Sequence, residues 1–348
     1  MLTSDLDELL DVAGDDLRCF ADSRILITGG TGFLGTWLLA SIAHANRRLG
    51  TRIAPMVITR DPERARTRLA ALTEGTELSY IRADLTESNA AAPTALDAIT
   101  CDAIIHAGAS TDAHLNANRP EASFAQNVTS TQRVIDIAER QGAIPLLFFS
   151  TGAVLGPSPQ SGRLAESDLG GPDTLEPLSA YAESKRVGEL FCAMAHRRFG
   201  LQAKIARIFS FVGPHLPRNR HYAVGQFLDA ALRGEPIRIN GDGTTIRTFL
   251  YAGDGLAWLW GIFARGASAR AYHIGSDLPL TMKEVAERIA AAFTPAPPIE
   301  ILGRHAPALA TDRYIPDTTR SRQELGLRLR VDFDEAIRRT ITEARQAD

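Results

Sequence analysis

Cysteine is scarce in this 348-residue chain: Cys19, Cys101 and Cys192 are odd in number and far apart. They form neither a disulfide framework nor a metal knuckle. No grouping of His, Cys and Asp has ligand spacing, so a reducing, cytoplasmic setting without a metal is expected. An excess of charge is lacking too. The net charge of −3 gives nucleic acid or an anionic membrane little to hold, and neither is an expected partner. No apolar run reaches membrane-spanning length. The acidic start "MLTSDLDELLDVAGDD" lacks the basic and apolar regions of a signal peptide. Internal repeats and low-complexity tracts are missing as well. The remainder is ordinary for a soluble globular chain, with 45% hydrophobic and 23% charged residues and enough length for one large or two closely joined domains.

What is present is a rhythm. Short apolar runs, "RILIT", "IAPMVIT", "LSYIRAD", "DAIIHAGA", "IPLLFFST" and "AKIARIFSFVG", alternate with helical stretches. That alternation implies an α/β fold with a parallel sheet covered on both faces. Residues 1–22 read as a helical extension that covers the active site or packs against a second subunit. Residues 23–213 read as the main domain. Residues 214–348 read as a smaller, mixed substrate lobe interleaved with the last sheet strands.

"ITGGTGFLG" sets Gly29, Gly32 and Gly35 three apart between a strand and a helix. Gly29 permits the tight turn, Gly32 the approach of a pyrophosphate, and Gly35 close packing of helix on strand. In this context the triplet predicts a doubly wound Rossmann sheet that binds a dinucleotide, with Thr31, Phe33 and Leu34 of the same turn as further contacts. The second strand ends "VITRDPERAR". If Arg60 is its last residue, the guanidinium suits a 2′-phosphate and NADP; if the strand runs on, Asp61 suits a 2′-hydroxyl and NAD. The first option is preferred, and Arg64 and Arg66 add charge or simply solvate a helix face. Asp84, with Leu85 beside it, is placed to accept from the adenine amino group or to cap a helix.

"STGAVLG", from Ser150 to Gly156, carries two hydroxyls and nothing that titrates near neutral pH. The missing proton donor lies downstream in "SAYAESKRVGEL". Tyr181 and Lys185 are four apart and share a helix face. A nearby ammonium is expected to lower the phenol from its ordinary value of about 10 and to reach the nicotinamide ribose. Thr151 then orients the oxygen with which Tyr181 exchanges a proton.

The set "TGGTGFLG", "HAGA", "NVTST", "STGAVLG", "YAESK", "RIFSFVGP" and "GDGTTIRTFLYAGD" resembles the extended short-chain dehydrogenase/reductase family, nucleotide-sugar epimerase and dehydratase type, from Arg24 onward. The resemblance implies bound NAD or NADP, a catalytic set of Thr151, Tyr181 and Lys185, and a nucleotide-diphosphate sugar in the C-terminal lobe. It implies that Asn127 is the structural asparagine near the site and that His106, Ala107 and Gly108 line the cofactor cleft. Thr111, Thr151, Ser210, Arg247 and Arg313 become the expected substrate contacts, the two arginines on the diphosphate. A homodimer through residues 120–141 and 179–199 is expected by the same analogy. Arg218, Arg220 and His221 are weaker candidates near the nucleotide that read rather as surface charges, and Asp112 and His114 could reach the nicotinamide region, though a lone histidine reads rather as structural or exposed.

Departures from the pattern matter. The 4,6-dehydratases of the family follow the threonine with an Asp-Glu pair; here Gly152 and Ala153 stand there. Neither moves a proton; Glu166 and Asp168, in a loop downstream, could substitute but read rather as solvated loop charges. Ser210 replaces an asparagine usual in relatives, and Leu155 a tyrosine. These features favour a 4-epimerase. The alternative is an NADPH-dependent 4-ketoreductase, ahead of a 4,6-dehydratase, a reductase of a non-nucleotide carbonyl and a non-catalytic dinucleotide-binding protein.

Overall fold

A computed structural model of the chain describes residues 3–87, 95–109, 113–157, 162–218, 222–303 and 312–347. Six apolar, largely β-branched or aromatic runs become β1 (Arg24–Thr28), β2 (Ala54–Thr59), β3 (Ser79–Arg82), β4 (Ala103–His106), β5 (Leu146–Thr151) and β6 (Ala203–Ile208). Between them lie α1 (Thr3–Arg18, ahead of β1), α2 (Phe33–Leu49), α3 (Pro62–Leu69), α4 (Ala113–Asn118), α5 (Pro120–Arg140) and α6 (Ala180–Phe199). The later elements are β7 (Phe211–Val212), α7 (Ala223–Leu232), β8 (Ile237–Ile239), β9 (Ile246–Arg247), β10 (Leu250–Tyr251) and α8 (Ala252–Arg265). They continue as β11 (Arg270–Ile274), β12 (Leu280–Thr281), α9 (Met282–Ala291), β13 (Ile299–Ile301), β14 (Arg313–Tyr314), α10 (Thr319–Leu325) and α11 (Phe333–Ala347).

Seven strands form one parallel sheet in the order β11-β6-β5-β4-β1-β2-β3. This is the doubly wound Rossmann arrangement. The strand order reverses between β1 and β4, so a crevice opens at their carboxyl ends. The seventh strand, β11, comes from the C-terminal part of the chain and pairs β6 from Arg270 to Ile274. The run "AKIARIFSFVG", expected as one strand, is two: β6 leaves the sheet after Ile208, and β7 pairs β10 instead.

One face of the sheet is covered by α2 and α8, the other by the packed pair α5 and α6. Of the two roles expected for the N-terminal segment, covering the active site is corrected. Helix α1 lies away from the cleft. It packs on α8 and α2, and Leu9, Ala13 and Leu17 join the main core. Asp16 pairs with Arg265 at 2.7 Å, and Asp5 and Glu8 pair with Arg339 at 2.9 Å, tying α1 to both α8 and α11. The physical reason is its amphipathic pattern: the apolar stripe needs a neighbour, and α8, buried along nearly its whole length, offers one. No described helix is long and apolar enough to cross a membrane.

Candidate active site

At the crevice, Gly29 adopts φ +71, and a Cβ there would stand 2.7 Å from the Ala107 backbone. A Cβ on Gly35 would lie 2.1 Å from the Gly29 oxygen. Gly32 caps α2 with no side chain in the way, so the helix dipole and first-turn N–H groups stay open to an anion. Thr31, Phe33 and Leu34 are half-buried along this turn. The turn therefore fits the diphosphate of a dinucleotide, with the backbone of Ala107 and Gly108 as the opposite wall.

Strand β2 ends at Thr59, so Arg60 is the first residue beyond it. Its side chain is 81% exposed and stands 3.9 Å from Asp84 Oδ2. Asp61 is taken up locally: its carboxylate caps α3 through the Arg64 N–H at 3.1 Å. The Asp84 carboxylate holds the Thr86 amide and hydroxyl at 2.8 and 2.7 Å. Burial alone would raise its pKa, but those bonds, Arg60 and Arg133 outweigh it and keep the group anionic. Leu85 is buried in the α5/α6-side core.

His106, expected to line the cleft, does not: its side chain is wholly buried. Thr28 Oγ1 accepts from the Gly108 N–H at 2.8 Å and faces His106 Nδ1 at 2.7 Å. Thr131 donates to the Asn127 carbonyl and so must accept from His106 Nε2, 3.2 Å away. This network assigns the neutral Nε2–H tautomer. Burial, then the charge of Lys185, pulls the imidazole down to about 3, which agrees. The histidine is a fastener between β1, β4 and α5. Asn127, also buried, donates to Ser184 Oγ at 3.0 Å, and Ser184 donates to the Tyr181 carbonyl at 2.7 Å. Asn127 thus sets the first turn of α6 rather than the cleft wall.

Thr151 ends β5 and Tyr181 lies in the first turn of α6. The expectation of an acidified phenol is corrected. The Lys185 ammonium turns to the strand beneath, donating to the Phe149 carbonyl at 2.8 Å and lying 5.0 Å over the Phe148 ring. Burial brings it down to about 8. Burial and the neighbouring phenols of Tyr314 and Tyr222 push Tyr181 above its ordinary value. Sharing a helix face brought the two residues to one region, but the carbonyl acceptor claimed the ammonium. Burial thus favours the neutral phenol of Tyr181 in the protein by itself.

Tyr314 and Tyr222, the phenols whose charge acts on Tyr181, went unnoticed in the sequence. Tyr314 reaches Thr151 Oγ1 at 3.3 Å and packs on Phe209 in a tilted pair with centroids 4.5 Å apart. It is delivered by β14, which pairs β9 and sets Tyr314 opposite Arg247. The signal was available: Tyr314 directly follows Arg313 in "TDRYIPD", a segment already singled out for its arginine. Only the pairing of two-residue strands, far apart in sequence, turns it toward Thr151.

Arg247 donates to the Asp312 carboxylate at 2.5 Å, while the Nε of Arg313 is buried without a partner. Ser210 is half-buried, and its carbonyl accepts from the Leu250 N–H. Glu166 and Asp168, the possible replacements for an acid-base pair, are engaged elsewhere. Glu166 is buried on the His273 N–H at 2.9 Å and faces Arg320, and Asp168 closes a turn on the Ala165 N–H. Thr111, Asp112, Arg220 and His221 lie outside the described residues, as does the side chain of His114. Among the described residues no group of His, Cys, Asp and Glu could hold a metal.

Residues 25–275 match the model of the NAD dependent epimerase/dehydratase family. The chain belongs to that family. Its members are enzymes of the extended short-chain dehydrogenase/reductase type, and their NAD dependence agrees with the turn around Gly32. A dTDP-glucose 4,6-dehydratase of Streptomyces antibioticus is 28% identical over 91% of this chain and 91% of its own. UDP-glucuronic acid decarboxylase 5 of Arabidopsis thaliana is 28% identical over 92% of this chain and 88% of its own. The Thermus thermophilus UDP-glucose 4-epimerase, solved in complex with NAD, shares the fold with a TM-score of 0.76. It is 22% identical and covers 93% of this chain and 100% of its own. Dehydration, decarboxylation and epimerisation of nucleotide sugars are thus all found on this scaffold.

Proposed function

We propose that the protein is a nucleotide-sugar 4-epimerase, working through transient oxidation at C4. The observation that carries this reading is the contact between Gly152 and Phe209. A Cβ on Gly152 would stand 2.3 Å from the Phe209 Cζ. The position that holds the first elimination carboxylate in the family's dehydratases is thus filled by an aromatic ring. With Glu166 and Asp168 engaged elsewhere, the described site keeps hydroxyl donors and lacks an acid-base pair for removing water.

The crevice at the carboxyl ends of β1 and β4 would hold NAD, which would supply reversible hydride transfer at C4. The protein's own part is binding and proton handling. The Gly29–Gly35 turn and the start of α2 hold the cofactor diphosphate, and Lys185 stands below the site. Thr151 and Tyr181 would hold the C4 oxygen, with Tyr181, as the phenolate in the loaded site, taking the C4 hydroxyl proton as the hydride leaves and giving it back as the hydride returns. Arg313, with a buried and unpartnered Nε, and Arg247, on exchanging its Asp312 partner, would meet the nucleotide diphosphate. A homodimer through α5 and α6 belongs to the same reading: Leu190 and Met194, one turn apart on α6, are 57% and 50% exposed. The two-part division into a dinucleotide domain to residue 213 and a substrate lobe beyond it follows from these roles.

One observation favours a second reading. Arg60 is exposed at the β2 end and only loosely held by Asp84, which suits a 2′-phosphate and an NADPH-dependent 4-ketoreductase. Releasing the nucleotide from denatured protein separates the two: retained NAD supports the epimerase, an empty site the reductase. Incubation with UDP-glucose, dTDP-glucose and UDP-glucuronic acid, followed by mass spectrometry and NMR, gives the decisive test. A product of unchanged mass with inverted C4 is expected; loss of water or of carbon dioxide would sink the proposal. Tyr181→Phe is expected to cut turnover by about 10²–10⁴-fold with cofactor binding kept.

A further inference from the structure

We propose that Glu189 and Arg207 form a positioning clamp that holds α6 on β5 and so sets the separation of the Tyr181 hydroxyl from that of Thr151. The proposal rests on the reading above only in taking those two hydroxyls to meet one substrate oxygen. Tyr181 sits in the first turn of α6, yet the N-cap residue, Ser179, makes no side-chain bond to that end of the helix. The buried face of α6 carries small residues, among them Ala182, Gly188, Cys192 and Ala195. Gly188 lets the helix lie close: a Cβ there would stand 2.5 Å from the Phe148 Cζ. Apolar contact of this kind is non-directional. It draws α6 onto β5, but fixing the helix along the strand takes bonds with a preferred angle.

Glu189 supplies them. It lies on α6 about two turns beyond Tyr181. Its carboxylate accepts from the Ser150 hydroxyl at 2.5 Å and from Arg207 Nε and Nη2 at 2.9 and 2.8 Å. Ser150 precedes Thr151 on β5, so the backbone that Glu189 holds is the backbone that carries Thr151. Arg207 belongs to β6, and its Nη1 donates to the Glu166 carbonyl at 3.2 Å. A planar fork that meets both carboxylate oxygens fixes direction as well as distance. The Arg207 and Glu189 side chains are only 13% and 14% exposed. Drawing such a pair out of water is costly, and the cost is offset only where the geometry is good and the remaining groups are also met. Ser150 and the Glu166 carbonyl meet them here. One carboxylate thus joins α6, β5 and β6 beside the residues proposed to handle the substrate.

Two measurements test this. The first compares crystal structures of the wild type and two variants, all without substrate. Glu189→Gln keeps the shape but sets an amide NH2 against an Arg207 nitrogen. Ser150→Ala removes one hydroxyl, leaves the ion pair and is expected to fold. The distance between the Tyr181 and Thr151 hydroxyl oxygens is expected to change by about 0.5–1 Å in Glu189→Gln and by less in Ser150→Ala. An unchanged distance in Glu189→Gln overturns the proposal; should that variant not fold, an unchanged distance in Ser150→Ala overturns it. The second measurement is turnover, with UDP-glucose as the probe. Arg207→Lys keeps the charge but loses the fork. It is expected to lower kcat about ten-fold with KM changed less than about two-fold, since a displacement near 1 Å can cost up to about 10²-fold. Adding Ser150→Ala to it is expected to slow the enzyme no further. Full kcat in Arg207→Lys, a change in KM alone, or losses that multiply would show a separate or merely structural role. Should the wild-type protein turn over no nucleotide sugar, the functional reading fails while the crystal structures still decide the clamp.

Discussion

Residue by residue, the site is defined by what fills the space next to Thr151. Gly152 carries no side chain, Phe209 occupies that space, and Tyr314 lies on Phe209. A carboxylate introduced at Gly152 meets the ring at once. Gly152→Asp is expected to destabilise the protein by about 1–3 kcal/mol through overpacking, seen as a lower midpoint in urea unfolding. Phe209→Ser opens the space and is destabilising by itself. The double variant is expected to be more stable than the sum of the two losses, by a coupling of about 0.5–3 kcal/mol. Simple additivity would show that the ring and the vacant side-chain position are unrelated. Burial, rather than a neighbouring charge, governs the titratable groups here: in the protein by itself it favours the neutral phenol of Tyr181 and brings Lys185 down to about 8.

At the level of elements, the site depends on how α6 meets β5 and α5. Lys185 fastens α6 to β5 through the Phe149 carbonyl, and Asn127 fastens it to α5 through Ser184. Ser184 then donates to the Tyr181 carbonyl, so the chain of bonds ends at the residue proposed to exchange the proton. Ser184→Ala removes both of these links. It is expected to cost about 1–3 kcal/mol of stability and to lower kcat, with cofactor affinity little changed. Equal kcat in variant and wild type would show that α6 is placed without these links. The helix pair also carries the exposed Leu190 and Met194, so the surface proposed for dimerisation and the start of the catalytic helix belong to one rigid unit.

Across the whole molecule, two buried imidazoles set a pH dependence. His106 and His273 are each brought down to about 3, in both cases chiefly by burial. The unfolded chain takes up these protons near pH 6.5 and the folded chain does not, so the unfolded state binds more protons between those values. Stability therefore rises with pH across that window and is lost as pH falls below 6.5. The slope is at most about 1.4 kcal/mol per pH unit for each histidine. Urea unfolding at pH 7 and pH 5 checks this. His273→Asn is expected to lower stability overall and to flatten the slope; an unchanged slope would mean that His273 is protonated in the folded protein.

The sequence alone determined the sheet and its switch point. Apolar strand runs, helix periods and the glycine triplet are local signals, each readable within about ten to twenty residues. Thr151, Tyr181 and Lys185 were visible for the same reason, as residue types at motif spacing. Tertiary structure decided what those side chains touch. It gave Lys185 to a strand carbonyl, His106 to the core, α1 to the rear of the sheet, and the space beside Thr151 to Phe209 and Tyr314. Each outcome depends on which distant group arrives first at a buried polar atom or an open space. No periodicity in the chain encodes that meeting, because the pairing of β9 with β14 joins residues more than sixty apart.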